Sequence, residues 1–219
     1  MPLFLTRPAI LSSLEHQLDA GIAALGLTLP GEATTRLLAY LRLLERWNAH
    51  YNLTAVREPA QMVTRHLLDS LAVAPHVDGD TLADLGAGAG LPGIPLAIAA
   101  PQRAVTLIDA NGKKARFMRT ARRELALDNV SVVEARVEQA EGRFDCIVAR
   151  AFASLPRMLA LGGHLLAPGG RWLALKGRLP EDEIAALPAG FRIDGTVSLS
   201  VPGLNAERHL LVMSKAPTQ

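Results

Sequence analysis

The apolar positions change rhythm once along the chain. Leu14, Leu18, Ile22 and Leu25 recur at three- and four-residue steps, and so do Leu37, Leu41, Leu44 and Trp47. A third set, Met62, Val63, Leu67 and Leu71 with His66 among them, repeats the pattern. Such spacing buries one face of a helix, so it predicts three helices in the first third of the chain. Ser12 and Glu15 make an S-x-x-E capping box for the first. The stretch "GLTLPGEA" (26–33) ends it, and the second helix runs from about Thr34 to His50. Pro59 suits the first turn of the third, which continues until Pro75.

From Thr81 the pattern becomes short apolar runs: "TLADL" (81–85), "AVTLIDA" (104–110), "NVSVVEA" (129–135), "FDCIVAR" (144–150) and "RWLALKG" (171–177). Helical stretches near 92–100, 112–127 and 153–166 separate them. Nearly continuous apolar strands with helical crossovers predict a parallel sheet covered on both faces. Two further strand-like runs, "FRIDGTVSLS" (191–200) and "ERHLLVMSK" (207–215), are joined by the short "VPGLNA", which predicts an antiparallel pair. The expected architecture is an α/β, Rossmann-like fold, mostly parallel and ending in an antiparallel strand. Residues 1–78 form a helical extension and 79–219 the core, together one compact unit. A chain of 219 residues accommodates one sizeable domain with such an appendage.

Composition narrows the function classes. No apolar run approaches the roughly 18–20 residues needed to span a bilayer. The opening "MPLFLTRPAI" is broken by Arg7 and Pro8 and makes a poor secretory signal. The one cysteine, Cys146, excludes an internal disulfide and any Cys-based metal cage, and no metal is expected. Its place in "FDCIVA" reads as a core position. These features point to a cytoplasmic protein, taken as a monomer with no membrane partner. The net charge of +2, with a pI near 9.0, permits a nucleic-acid partner without demanding one. Its distribution says more: "KKARFMRTARR" (113–123) holds six basic residues in eleven.

The candidate chemistry starts at "ADLGAGAGLPGIPLAIA" (83–99), where a strand, a glycine turn and a helix start follow one another. In a doubly wound sheet ligands sit at such a turn, over the carboxyl ends of the central strands. Gly88-x-Gly90-x-x-Gly93 formally matches the dinucleotide fingerprint, a weak signal by itself. Asp84 just ahead of the loop opposes phosphates, and Pro92 and Pro95 remove N–H groups that would bind them. An acid there suits a ligand that carries a cation; the plain alternative is that Asp84 only caps the turn. Asp109, ending the next strand, is placed to accept from ribose hydroxyls. Ribose and an ammonium without a phosphate describe S-adenosylmethionine. A nicotinamide-dependent oxidoreductase and a non-catalytic regulatory protein that binds a nucleotide or this cofactor stay open at this point.

"DLGAGAGLPGIPLAI" with "LIDANGKKARFM" resembles the class I methyltransferases. "WNAHYNLTAV", "RHLLDSL", "VARAFASL", "ALKG" and "VPGLNAERHL" resemble one family among them, the bacterial small-subunit rRNA guanine-N7 methyltransferases RsmG, or GidB. The resemblance runs in order from about Trp47 to Met213. It implies methyl transfer from S-adenosylmethionine to N7 of guanine 527 in the 530 loop of 16S rRNA, within a small ribosomal subunit or its precursor. The implied cofactor contacts are Gly86 and Leu91, Val137 with Glu138, and Arg150. Asp109 takes the ribose position of the wider class, and Asp84 and Gly88 complete the expected cofactor set.

The residue types agree with that chemistry. Guanine N7 is an unprotonated acceptor on the Hoogsteen edge, so no general base is expected and the work is mostly positioning. No Asn- or Asp-Pro-Pro-aromatic stretch follows the fourth strand, as exocyclic-amine methylation would need, nor a Pro-Cys for covalent attack on a pyrimidine. That strand ends instead in Arg150, whose guanidinium suits either the cofactor carboxylate or guanine O6. Arg136, Lys176 and Arg208 are the candidates for substrate positioning. Lys113, Lys114, Arg116, Arg119 and Arg123 are candidates for RNA contact, with Met118, Ala121 and Leu125 marking the buried side of their helix; Arg122 belongs to the same run. His66 and His209 read as hydrogen-bonded structural residues, and Trp47 as helix core rather than a base-stacking ring. An aromatic content of 4% argues against a stacking platform for single strands, and so for a preshaped RNA substrate.

Overall fold

The computed structural model describes residues 8–216. Residues 1–7, most of the stretch read above against a secretory signal, and 217–219 lie outside the described residues. Among the described residues no helix is long and apolar enough to cross a membrane.

The first two helices are α1 (Pro8–Ala24) and α2 (Ala33–Tyr51). The buried stripe of α1 is Leu14, Leu18 and Ile22, as the spacing predicts. Its start differs: the helix has begun by Pro8, so Ser12 lies exposed a turn inside it and the expected capping box does not cap. The third helix is in three parts. α3 (Pro59–Met62) opens on Pro59, with the Glu58 carboxylate accepting from the N–H groups of Ala60 and Gln61. A π-helical segment follows (Val63–Leu68), then α4 (Asp69–Leu71). Helical periodicity cannot announce the wider π turns, which rotate the residues beyond them relative to an α-helix. This third helix stops at Leu71, earlier than Pro75.

The strands are β1 (Thr81–Leu85), β2 (Ala104–Ile108), β3 (Val130–Val133), β4 (Phe144–Arg150), β5 (Leu166–Lys176), β6 (Phe191–Ser198) and β7 (His209–Lys215). The crossing helices are α5 (Gly93–Ala99), α6 (Gly112–Glu124) and α7 (Leu155–Gly162), with a short α8 (Glu181–Ala185) in "EDEIA", where no helix was expected. β5 begins five residues before its expected start at Arg171, because the Gly-rich stretch "LAPGG" stays in the sheet. The sheet order is β3-β2-β1-β4-β5-β7-β6. The first five strands are parallel, and β7 is antiparallel to both its neighbours. The antiparallel strand that ends the chain is thus wedged between β5 and β6, with Lys176 of β5 opposite His209.

One face of the sheet and helices α1 to α6 share a single cluster of buried side chains, including Leu18, Leu44, Leu67, Ile94, Phe117 and Leu173. Cys146 is fully buried on that face, and burial pushes its thiol up to about 12, as befits a core residue. α7 covers the other face, where Leu155, Met158 and Trp172 are buried together. The order reverses between β1 and β4: from β1 the chain goes outward to β2 and β3, then returns to β4 on the other side. That crevice, over the carboxyl ends of β1 and β4, is where such sheets bind ligands.

Candidate functional site

The glycine loop (86–92) leaves β1 by a sharp turn. Gly86, Gly88 and Gly90 all have positive φ, at 67°, 62° and 82°. The space around them differs. A Cβ on Gly86 would strike the Phe152 ring, and one on Gly90 would strike Ile94. At Gly88 a Cβ would meet only the Gly86 carbonyl, at 3.9 Å, so the loop backbone there faces open space. Close approach of a ligand to main chain is the use such a glycine has. Leu91, within the loop, is buried, and Gly86 N–H is tied to the Ile108 carbonyl at 2.9 Å.

Two carboxylates flank the loop. Asp84 is fully buried in β1, and its Oδ2 accepts from Gly93 N–H at 2.8 Å, at the first residue of α5. It therefore does cap the turn. Its other oxygen, Oδ1, is buried with no hydrogen-bond partner among the described residues. Burial pushes the carboxyl up to about 7; the Gly93 bond and the Arg150 charge oppose that, and Asp109 adds to it. Asp109, just beyond β2, accepts from Gly88 N–H at 2.9 Å and from Asn111 N–H at 2.8 Å, with the Lys114 ammonium 3.6 Å away. Each carboxylate oxygen has capacity for a second donor.

The loop is also held from outside. Tyr40 of α2, fully buried, donates its hydroxyl to the Ala89 carbonyl at 2.8 Å. Burial raises its phenol further above its ordinary range. Its ring stands 6.2 Å from Phe117 of α6, which also meets Trp47 edge-on at 5.6 Å. Trp47 is thus a packing residue, as its helical spacing suggested.

Beside the loop lies a cleft of about 480 Å³ whose lining includes Arg65, His66, Asp69, Arg150, Lys176 and Arg208. Arg150 ends β4 and is followed by Ala151 at φ 50°, a left-handed turn outside glycine. Its guanidinium donates to Asp69 Oδ2 at 3.1 Å and to the Arg65 carbonyl at 3.3 Å. Arg208 donates from Nε to the other oxygen of Asp69 at 2.7 Å. Lys176 is held by the Glu183 carboxylate at 2.8 Å and the Ala153 carbonyl at 3.1 Å. His66 is hydrogen-bonded through Nε2 to Thr54 Oγ1 at 2.9 Å, and burial pulls its imidazole down to about 4. A larger cavity, about 630 Å³ between α1 and α3, lies away from the strand ends. The charged groups there are turned elsewhere: Glu58 onto α3, and Arg57 onto the Asn48 carbonyl and Asn52.

Two observations now stand together: a sheet of order 3-2-1-4-5-7-6, and a glycine loop flanked by buried carboxylates with a basic cleft beside it. The profile of the family described as rRNA small subunit methyltransferase G matches residues 33–211. The chain belongs to this family. A protein of Xanthomonas campestris pv. campestris named Ribosomal RNA small subunit methyltransferase G is 58% identical over 190 residues, 86% of this chain and 90% of that one. A protein of the same name from Stenotrophomonas maltophilia is 54% identical over 205 residues, 93% of this chain and 96% of that one. The fold resembles that of a SAM-dependent methyltransferase from Aquifex aeolicus, with a TM-score of 0.56 at 17% identity, covering 74% of this chain and 96% of the other.

As a member of the rRNA small subunit methyltransferase G family, the chain is a methyltransferase that uses S-adenosylmethionine, and the nicotinamide reading of its glycines falls away. The expected site residues separate into groups. Asp84, Gly86, Gly88, Leu91 and Asp109 surround the loop, while Arg150, Lys176 and Arg208 line or border the cleft. Val137 and Glu138 form a 3₁₀ turn past β3, Val137 buried and Glu138 exposed, with Arg136 exposed just before them. The basic helix α6 runs back from the site. Lys113 and Lys114 stand at its near end, and Arg123, nine to ten residues on, is roughly 14 Å further along it. Arg116 and Arg119 are exposed between them, with Arg119 paired to Glu134 at 2.8 Å, and Met118, Ala121 and Leu125 are buried as expected. His209 donates from Nδ1 to the Gly177 carbonyl at 2.9 Å, a structural bond.

Tyr40, Arg65 and Asp69 were not among the expected site residues. Asp69 stands inside "RHLLDSL", and a lone acid in an apolar helix face was the available signal; its partners lie 81 and 139 residues away. Tyr40 is masked by its place in a leucine stripe.

Proposed function

We propose that this protein methylates N7 of guanine 527 in the 530 loop of 16S rRNA. The observation that carries the reading is the cleft that adjoins the glycine loop: three cations, Arg150, Lys176 and Arg208, gathered where β4, β5 and β7 meet. S-adenosylmethionine, when bound, supplies a methyl group on a sulfonium, already activated for attack by a lone pair. The residues present fit it. Asp109 offers free acceptor capacity for ribose hydroxyls, Asp84 places negative charge under a cationic group, and Gly88 leaves its backbone open. Leu91, Val137 and Glu138 complete the cofactor side.

On the RNA side, Arg208 and Lys176 hold the incoming nucleotide, with Arg136 and the near end of α6 (Lys113, Lys114) further out. Arg150 stands between the two ligands, its charge suited to a cofactor carboxylate or to guanine O6. N7 carries no proton, so the groups of the cleft have only to orient the base and exclude water. His66, held neutral and bonded to Thr54, is consistent with a site that moves no proton.

The test is methylation of small ribosomal subunits purified from cells that lack this activity. The expected product is N7-methylguanosine in the 16S rRNA fragment containing guanine 527, found by mass mapping. A methyl group at another nucleotide, or none, overturns the assignment. With few aromatic rings to splay single strands, subunits are the better substrate; deproteinised 16S rRNA methylated as fast would argue otherwise.

A further inference from the structure

A second polar hollow adjoins the cleft. It has a volume of about 350 Å³ and lies between the N-terminal helices and the loop that joins β6 to β7. Arg65 lines both hollows, so they are neighbours. The rest of its wall includes Gln17 of α1, Gln61 and Thr64 of the third helix, and Leu204 and Asn205 of the loop. Gln17 donates from its amide nitrogen to the Ala60 carbonyl and to Thr64 Oγ1, both at 3.1 Å, which fixes the floor. Gln61, Arg65 and Asn205 are exposed along its rim.

The chemistry of this wall is one-sided. None of its lining residues is acidic, and its one charge is the Arg65 guanidinium. Glu58, the nearest acid on α3, is spent on backbone N–H groups. None of the lining residues is aromatic either, so the hollow has nothing on which a base could stack. Amide groups and a guanidinium without rings are the equipment of sites that hold phosphate and sugar rather than read bases.

We propose that this groove, beside the cleft, holds the RNA backbone next to the target guanine. The inference rests on the reading under Proposed function. It gives the N-terminal helices a direct part in binding: with the β6–β7 loop they form the two banks along which the flanking strand lies.

The test uses exposed positions of the full-length protein. The double variant Gln61→Glu with Asn205→Asp places two negative charges on the rim. It is expected to raise KM for small subunits about 3- to 10-fold, with kcat and the calorimetric affinity for S-adenosylmethionine unchanged. Gln61→Lys is expected to lower KM and to steepen its dependence on log salt by about one unit for each further phosphate neutralised. A benzophenone side chain in place of Asn205 is expected to cross-link 16S rRNA near the target. Unchanged KM in both charge variants, or an increase in both, overturns the proposal; so does cross-linking to a ribosomal protein instead of rRNA. Wild-type protein that leaves guanine 527 unmethylated would sink the parent reading, a result distinct from any of these.

Discussion

Arg208 Nε donates to Asp69 Oδ1 at 2.7 Å, joining the start of the last strand to the third helix across 139 residues of chain. The other oxygen of the same carboxylate takes Arg150. One buried acid therefore sets the spacing of two guanidiniums that line the cleft, one at the end of β4 and one just before β7. Asp69→Asn leaves those two charges uncompensated. Because both arginines keep some contact with water, the expected loss of stability is roughly 2 kcal/mol, a fall in Tm of about 4–8 °C for a chain of this size. Scanning calorimetry reads it, and an unchanged Tm would show that the guanidiniums are held by other means.

Tyr40→Phe removes the hydroxyl bond to Ala89 and leaves a buried carbonyl without its donor. The expected cost is about 1–2 kcal/mol in urea unfolding. The glycine loop loses its outer tether, so affinity for S-adenosylmethionine should fall several-fold as well. Lost stability with full affinity would mean that the loop keeps its shape without α2.

Asp109→Ala deletes the acceptor proposed for ribose and, in the same stroke, the bond that positions Gly88. Calorimetric affinity for S-adenosylmethionine should weaken by roughly 1–3 kcal/mol. Equal affinity would refute the ribose role.

Lys176→Ala tests the opposite side. The ammonium is held by Glu183 and a carbonyl, away from the glycine loop. Cofactor affinity should stay near that of the wild type while turnover on small subunits falls about 10- to 100-fold through lost positioning. Equal loss of both would move Lys176 into the cofactor pocket or the fold.

Two buried groups impose opposite pH dependences on stability. Asp84 ionises near 7 in the folded chain against 3.8 for the free carboxyl, so between those values the folded state holds the extra proton. Its contribution to stability falls as pH rises from about 4 to 7. His66 titrates near 4 when folded against 6.5 unfolded, so the unfolded state binds the extra proton and stability rises with pH from about 4 to 6.5. Asp84→Asn should therefore steepen the gain in stability between pH 4 and 6.5, and His66→Gln should turn it toward a loss. Parallel unfolding curves for both variants and the wild type would show that neither group shifts.

The two halves of the chain were legible to different depths. Short apolar runs marked every strand core, and period-3.6 spacing the N-terminal helices, because burial in a sheet or on one helix face repeats locally. The glycine loop was equally plain, since positive φ has few solutions outside glycine. The errors fall where neighbouring residues do not decide: the early start of α1, the π-helical turns at Val63–Leu68, and the extension of β5 through "LAPGG".

Local chemistry along the chain was enough to specify an α/β sheet and a glycine loop with an acid on either side, and, together with the family motifs, S-adenosylmethionine as cofactor and which arginines and lysines to watch. It could not say that Asp69 would stand between two of those arginines, that Tyr40 would hold the glycine loop, or that Arg65 would open a second groove. Those relationships join residues 49 to 139 positions apart. Spacing along a backbone encodes which face is buried, but which buried groups meet depends on how the helices and the sheet settle against one another.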